Sequence, residues 1–231
     1  MPRVVAITGA CSETAVEAAA RFAGRGDRVA LLSRTPIAVD ELVTALRRSG
    51  ADAMGVVVDT TDPDAVESAV ARIEVELGPV DVWVNTADDP RDRSFRDHEP
   101  REFRAITEQL YLGHVHTTMA VLERMRERGR GTIVHVTSAA ARRGRAGQSA
   151  RSGAEAAVRG FHESVTEELR TEGSPVRLAL VERGEGDSTA TAASAVVRAA
   201  AGSSPRELTA AAGLLAAAAT GVGMAVRRRR R

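Results

Sequence analysis

Ser138 offers a hydroxyl for nucleophilic or proton-transfer work, and His114, His116, His135 and His162 are the bases that could serve it. A serine becomes a nucleophile only when such a base lies within hydrogen-bond reach. His135 alternates with apolar positions in “TIVHVT” and His162 lies well inside an amphipathic segment, so no spacing assigns one of them to Ser138. Cys11 precedes a predicted helix, whose positive end favours a thiolate, and is equally a small filler of the turn. Arg151 and Glu155 stand four residues apart in “SARSGAEAAVRGF”. On one helical face they form an ion pair of about 0.2 to 0.5 kcal/mol. No His, Cys or carboxylate cluster has the spacing of a metal site.

A second group of residues could hold a nucleotide. “TGACSETAVEAAARF” follows a short Val-rich run, the place where glycines let backbone amides and a helix N-terminus approach a diphosphate. Gly9 meets that need. Glu13 and Ala15 occupy the next two positions, and a carboxylate aimed at a diphosphate is repelled by roughly 1 to 4 kcal/mol at about 4 Å. Thr14 with Glu17 makes a capping box, so a well-started helix is the other reading of this stretch. Arg34 closes the second Val-rich run, where a basic residue favours the extra phosphate of NADP over the ribose hydroxyl of NAD. A solvated loop arginine is the alternative. Asp59 ends the third run, in reach of an adenine or serving as a local turn cap.

These residues lie at the ends of elements with a regular order. Strands are predicted at 3–8, 28–33, 53–58, 80–85, 132–137 and 176–181, with helices at 14–25, 37–49, 63–77, 100–128, 152–172 and 189–201. Asp62 ahead of Pro63 is a cap followed by proline at the first helical position. Parallel strands joined by right-handed crossovers need cover on both faces, which gives an α/β, doubly wound, Rossmann-like sheet. Ligands then sit at the carboxyl ends of the strands. The 231 residues, 43% apolar and 27% charged, suffice for one cored domain, assigned to 1–208, followed by an Ala-rich segment with a basic end at 209–231.

The order of motifs resembles the short-chain dehydrogenase/reductase family over roughly residues 3 to 181, and more loosely to about 208. “TGACSE” is similar to its glycine-rich turn and “DVWVNTAD” to its strand-four Asn-Asn-Ala-Gly motif. “GTIVHVTSAAARRGRAGQSARSGAEAAVRGFHESVTEEL” is similar to its fifth strand, serine loop and active helix. The resemblance implies NAD(P)-dependent oxidation or reduction of a carbonyl or alcohol in a dimer or tetramer. It places Gly9, Asn85 and Ala87 at cofactor positions and Ser138 at the catalytic serine. Against the same pattern Glu13 and Ala15 replace glycines, Thr86 an asparagine, Asp88 a glycine, and Arg151 and Glu155 the catalytic Tyr and Lys. A relay asparagine, aligned through Gly113, is replaced near Leu110.

In the family the tyrosine exchanges the substrate proton, while the lysine lowers its pKa and holds the nicotinamide ribose. A guanidinium keeps its proton at any physiological pH, so Arg151 cannot do this work, and Glu155 reverses the charge that met the ribose. Ser138 is then expected to stand without a proton-transfer partner. The expected function is binding, assembly or a redox-neutral reaction, with weak or absent NADPH and NADH binding. The alternative is an NADP-dependent oxidoreductase with an atypical proton donor.

The helices at 100–128 and 152–172, with Val158, Phe161, Val165 and Leu169 at helical spacing, are expected to form a homodimer or homotetramer. “ERGEGDSTATA” leaves room for at most a short substrate lid. A net charge of +1 argues against nucleic acid as a partner. The lone Cys11 excludes an internal disulfide, and “MPRVVAITGA” lacks a signal peptide's apolar core, so a cytoplasmic setting is expected. Residues 209–226 carry no charge and precede five arginines, a composition that suits an exposed or packed helix, a peripheral contact with anionic lipid or, against the positive-inside tendency, a membrane span.

Overall fold

The computed structural model describes residues 2–86, 93–184 and 186–202; Ala87, Asp88 and the segment 209–231 lie outside them. Six strands, β1 (Val4–Ile7), β2 (Arg28–Ser33), β3 (Ala53–Val57), β4 (Val80–Asn85), β5 (Thr132–Ser138) and β6 (Arg177–Arg183), form one sheet in the order β3-β2-β1-β4-β5-β6. All pairs are parallel. The order reverses beside β1, so the loops after β1, β4 and β5 open on one edge, the expected place for a site.

Among the described residues eight α-helices cover the faces: α1 (Glu13–Gly24), α2 (Pro36–Arg48), α3 (Pro63–Leu77), α4 (Pro100–Thr107), α5 (Gly113–Arg128), α6 (Ala140–Arg143), α7 (Ser149–Thr171) and α8 (Thr189–Ala201). Successive strand residues point to opposite faces. Val5 and Ile7 therefore meet Phe22, Leu42 and Val196 from α1, α2 and α8. Val4 and Ala6 join Trp83 on the other face and meet Ile73, Met125 and Leu169 from α3, α5 and α7. Burial on both sides explains why the strands read as unbroken apolar runs.

Local chemistry starts and bends the helices. Asp62 accepts from the amides of Asp64 and Ala65 at 3.0 and 3.1 Å ahead of Pro63, as its spacing predicted. For α1 the expected Thr14–Glu17 capping box is corrected. The helix begins at Glu13, Ser12 is the cap and accepts from Ala15 N at 3.2 Å, and Glu17 instead pairs with Arg21 at 2.9 Å. The single helix expected at 100–128 is interrupted by a π-helical turn over Glu108–Leu112. There Leu110 is buried against Ile106, Ala150 and Ala154, which packs this turn onto α7.

Candidate active site

The turn after β1 needs glycine. Gly9 has φ +63°, and a Cβ there would stand 2.2 Å from the carbonyl oxygen of Thr86. Thr86 hydroxyl donates to Thr8 O at 2.6 Å, and Thr8 N–H bonds Val84 O at 2.9 Å, so the ends of β1 and β4 are closely knit. Cys11 Sγ lies 3.1 Å from Ser33 Oγ and ties the same turn to β2, a packing role. Arg34 and Asp59 meet at 3.9 Å, both about half exposed. Asp59 also accepts from the amide and hydroxyl of Thr61 at 3.0 and 2.9 Å, the local turn-capping arrangement.

Asn85 is fully buried at the end of β4. Its Oδ1 accepts from Trp83 Nε1 at 2.8 Å and from Thr117 at 2.7 Å, while its Nδ2 has no partner among the described residues. It stands behind the site and braces β4 against α5.

An open cavity of about 390 Å³ lies at the carboxyl ends of β5 and β6, lined among others by Ser12, Thr14, Ser138, Arg151, Arg183 and Thr189. Ser138 ends β5 in register with Arg183 on β6, and Ala139 N bonds Arg183 O at 2.9 Å. Behind Ser138 stands Glu155. The Ser138 hydroxyl donates to Glu155 Oε2, and the Ser138 amide reaches the same oxygen at 3.2 Å. Arg151 Nε meets the other oxygen at 3.0 Å, with the side chains of Arg151 and Glu155 only 13% and 6% exposed.

Two expectations change with this geometry. The Arg151–Glu155 pair was expected to be an ordinary surface contact, yet α7 turns it against β5, with Ala150 and Ala154 of the same face packed on Leu110. Ser138 was expected to lack a proton-transfer partner, and its hydroxyl donates a hydrogen bond to the buried Glu155 carboxylate. A hydroxyl has one proton to give. With that proton directed at Glu155, Ser138 turns lone pairs rather than a donor toward the cavity. No lysine occurs anywhere in the chain, so no other side-chain amine can supply the missing charge.

His114, His135 and His162 form a separate cluster where α5 and α7 meet β5. His135 is stacked on His114 at 5.6 Å and on Phe161 at 5.8 Å, and meets His162 edge-on at 5.4 Å between centroids. Burial pushes His114 down to about 4. His135 is held well below its ordinary value by burial, then by the neighbouring His114 and His162, and His162 is lowered by burial. Thr118 hydroxyl lies 3.1 Å from His135 Nε2. None of these rings lines the cavity, and no described histidine pairs with Ser138. His116 bonds Thr60 O at 3.0 Å through Nδ1. Among the described residues no group of three or more His, Cys, Asp or Glu could hold a metal.

The short chain dehydrogenase family model matches residues 3–198. The chain belongs to the short chain dehydrogenase family. Among its relatives in that family, it is 34% identical over 173 residues to the short-chain reductase protein NovJ of Streptomyces niveus, covering 75% of this chain and 66% of that protein. It is 27% identical over 176 residues to the 3-oxoacyl-[acyl-carrier-protein] reductase FabG of Escherichia coli (strain K12), covering 76% and 71%. It spans about half to two thirds of the length of several curated relatives it matches. A metagenomic short-chain oxidoreductase solved in complex with NADP has the same fold, with a TM-score of 0.78 at 23% identity over 86% of this chain and 90% of that one. Among the described residues of this family member, no helix is long and apolar enough to cross a membrane.

Arg183 and the Ser138–Glu155 contact were missed in the sequence. Arg183 gave only one signal, its place just after the sixth predicted strand, where this sheet opens its sites.

Proposed function

We propose that this chain is a short chain dehydrogenase relative that binds a ligand at the family's site without ordinary hydride transfer, as a binding or assembly protein or a catalyst of a redox-neutral step. The observation that carries this reading is the Ser138 hydroxyl directed into Glu155. Reduction of a carbonyl needs a proton delivered to its oxygen as the hydride arrives. Ser138 presents none, and Arg151 keeps its own.

The residues fit the adenine half of a dinucleotide better than its other half. Gly9, Arg34 and Asp59 lie along the strand ends where a nucleotide would run. Glu13 stands in the first turn of α1 and lines the cavity, with its carboxylate accepting from Thr189 at 3.1 Å. That negative charge opposes a diphosphate, and Glu155 opposes the contact a ribose would receive from a lysine. Cofactor fluorescence titration tests the fit. We expect dissociation constants weaker than micromolar for NADPH and NADH; micromolar binding would defeat the reading.

A second reading, an NADP-dependent reductase with an unorthodox acid, draws support from the relatives named as reductases and from Arg34 at the end of β2. Carbonyl-dependent NADPH oxidation by the full chain separates the two. The assembly role is a homo-oligomer formed through α5 and α7. Val158 and Leu169 turn inward and are 0% and 3% exposed, so the apolar period of α7 serves its own core. Gly153 and Gly160 face outward with open space beyond them, and Met119 on α5 is 67% exposed. These are the residues an interface would use.

A further inference from the structure

Glu155 lies behind Ser138 and does not itself line the cavity, its side chain being 6% exposed. Chemistry that it performs on a ligand therefore passes through the Ser138 hydroxyl, which donates to its Oε2 and does line the cavity. A hydroxyl whose proton is directed at a base keeps its lone pairs for the other side, and here that side is open. Nucleophilic serines share this arrangement: the hydroxyl meets a proton acceptor, and a third group fixes the acceptor's orientation. Arg151 is that third group, its Nε holding Oε1 at 3.0 Å while the Ser138 amide reaches Oε2 at 3.2 Å. Held at both oxygens, the carboxylate stays aimed at the hydroxyl.

The neighbouring strand supplies a positive charge. Arg183 is the register partner of Ser138 on β6, so the two side chains leave the same face of the sheet, and both line the cavity. Among the described residues its guanidinium has one polar side-chain contact, from NH1 to the Thr14 hydroxyl at 3.5 Å, which is long for a hydrogen bond. A guanidinium stabilises negative charge that develops on an oxygen beside it. Among the described residues of the wall, Ala139 and Ala192 alone have apolar side chains. Such a wall suits a small acyl group and offers no apolar trough for a long one.

We propose that Ser138 is an acyl-accepting nucleophile, with Glu155 as its base and Arg183 beside the oxyanion, in the hydrolysis of small carboxylic esters. This inference rests on the reading that the site performs no ordinary hydride transfer, and it names the redox-neutral step. Ser138 Oγ bonds to the ester carbonyl carbon while its proton passes to Glu155 Oε2, and the carbonyl π electrons move onto the oxygen that faces Arg183. The bond from carbon to the alcohol oxygen then breaks, and that oxygen takes the proton from Glu155. Water adds to the acyl carbon and gives a proton to Glu155. The bond to Ser138 Oγ breaks, the proton returns to Oγ, and the carboxylic acid leaves. Ester and water give acid and alcohol, with no oxidant or reductant.

The test is hydrolysis of p-nitrophenyl acetate by the full chain, followed as p-nitrophenol release and, after acid quench, by mass spectrometry of the chain and its peptides. One acetyl group per chain, on Ser138, is expected. Ser138→Ala should abolish the adduct and bring release to the background rate. Glu155→Gln, which keeps an acceptor for the Ser138 amide, should slow release about a hundredfold or more, and Arg183→Gln about tenfold or more. p-Nitrophenyl octanoate should react more slowly than the acetate. Circular dichroism of each variant separates lost chemistry from lost folding, and the adduct on the wild type decides the matter without any variant. The proposal is overturned by a wild type without acetyl on Ser138, by an adduct confined to Cys11 or a histidine, or by wild-type turnover in Ser138→Ala, Glu155→Gln or Arg183→Gln. Faster turnover of the octanoate overturns the small-ester class. If Ser138 stays unacetylated and NADPH also fails to bind, the reading without hydride transfer survives as a binding or assembly role. Tight NADPH binding with carbonyl-dependent turnover removes that reading itself.

Discussion

The hydroxyl and the amide of Ser138 both donate to the same carboxylate oxygen of Glu155, seventeen residues further along the chain. Because Arg151 holds the other oxygen, Glu155 is the common acceptor of β5 and α7 at this point. Glu155→Ala removes one partner of a mostly buried pair and orphans the Ser138 amide, so a loss of about 3 kcal/mol is expected. Glu155→Gln keeps an acceptor for Ser138 and should cost less. Urea unfolding midpoints at unchanged slope measure both.

Restoring the family residues one at a time should fail differently from restoring them together. Glu155→Lys alone places an ammonium beside Arg151 in a site that is 13% and 6% exposed, and we expect strong destabilisation. Arg151→Tyr with Glu155→Lys removes the like-charge clash, and the double variant is expected to fold. It should still not consume NADPH with aldehydes, ketones or quinones above the wild-type rate, because Glu13 remains and the catalytic groups act as a unit. Robust turnover in the double variant would show that two substitutions alone had silenced an otherwise intact site.

The stacked histidines set a pH limit on the fold. His114 is held to about 4 when folded, against an ordinary value of 6.5, and His135 and His162 shift in the same direction. The unfolded chain therefore binds more protons between these values, so stability is fully present above about pH 6.5 and falls as the pH drops toward 4. His114 alone accounts for roughly 3 kcal/mol across that window. Denaturant midpoints from pH 7.5 to 4.5 should show the fall, and His114→Leu should flatten it. A wild-type profile that is level over this range would contradict the burial of the rings.

Gly160 tests assembly without disturbing the protomer. A Cβ at this position meets nothing within 4 Å, so Gly160→Glu should leave the melting temperature unchanged. If α7 forms the contact between copies, the same substitution places a charge in the interface and shifts the light-scattering mass to that of one chain. An oligomer that persists in Gly160→Glu would move the interface away from this face of α7.

Much of the frame could be read from residue order. β2 and β4 coincide with their predicted spans, as do α3 and α8, because Val-rich runs and punctuation such as Asp62-Pro63 act locally. The site was less legible. The positions of Ser138, Arg151 and Glu155 followed from the family pattern, but the closure of Glu155 onto Ser138 depends on how α7 is rotated against β5. No local spacing encodes that rotation. The same reason hid the place of Arg183, which lines the cavity beside Thr14 and Thr189. It also made Val158 and Leu169 look like interface residues when they fill the protomer's own core.

The π-helical turn at Glu108–Leu112 carries one residue more per turn than the α-helices it joins. Each residue of an α-helix advances the rotation by about 100°, so a deletion in a regular helix turns everything beyond it onto another face. Here the wide turn holds the slack in advance. Loss of a single residue between Glu108 and Leu112 can be absorbed by narrowing it to an α-turn, leaving the inner face of α5 on the sheet, whereas an added residue has no such reserve. Chain length at this point is therefore freer to shrink than to grow, and a naturally shortened version of the protein would be expected to lose its residue here before it loses one within α4 or α5.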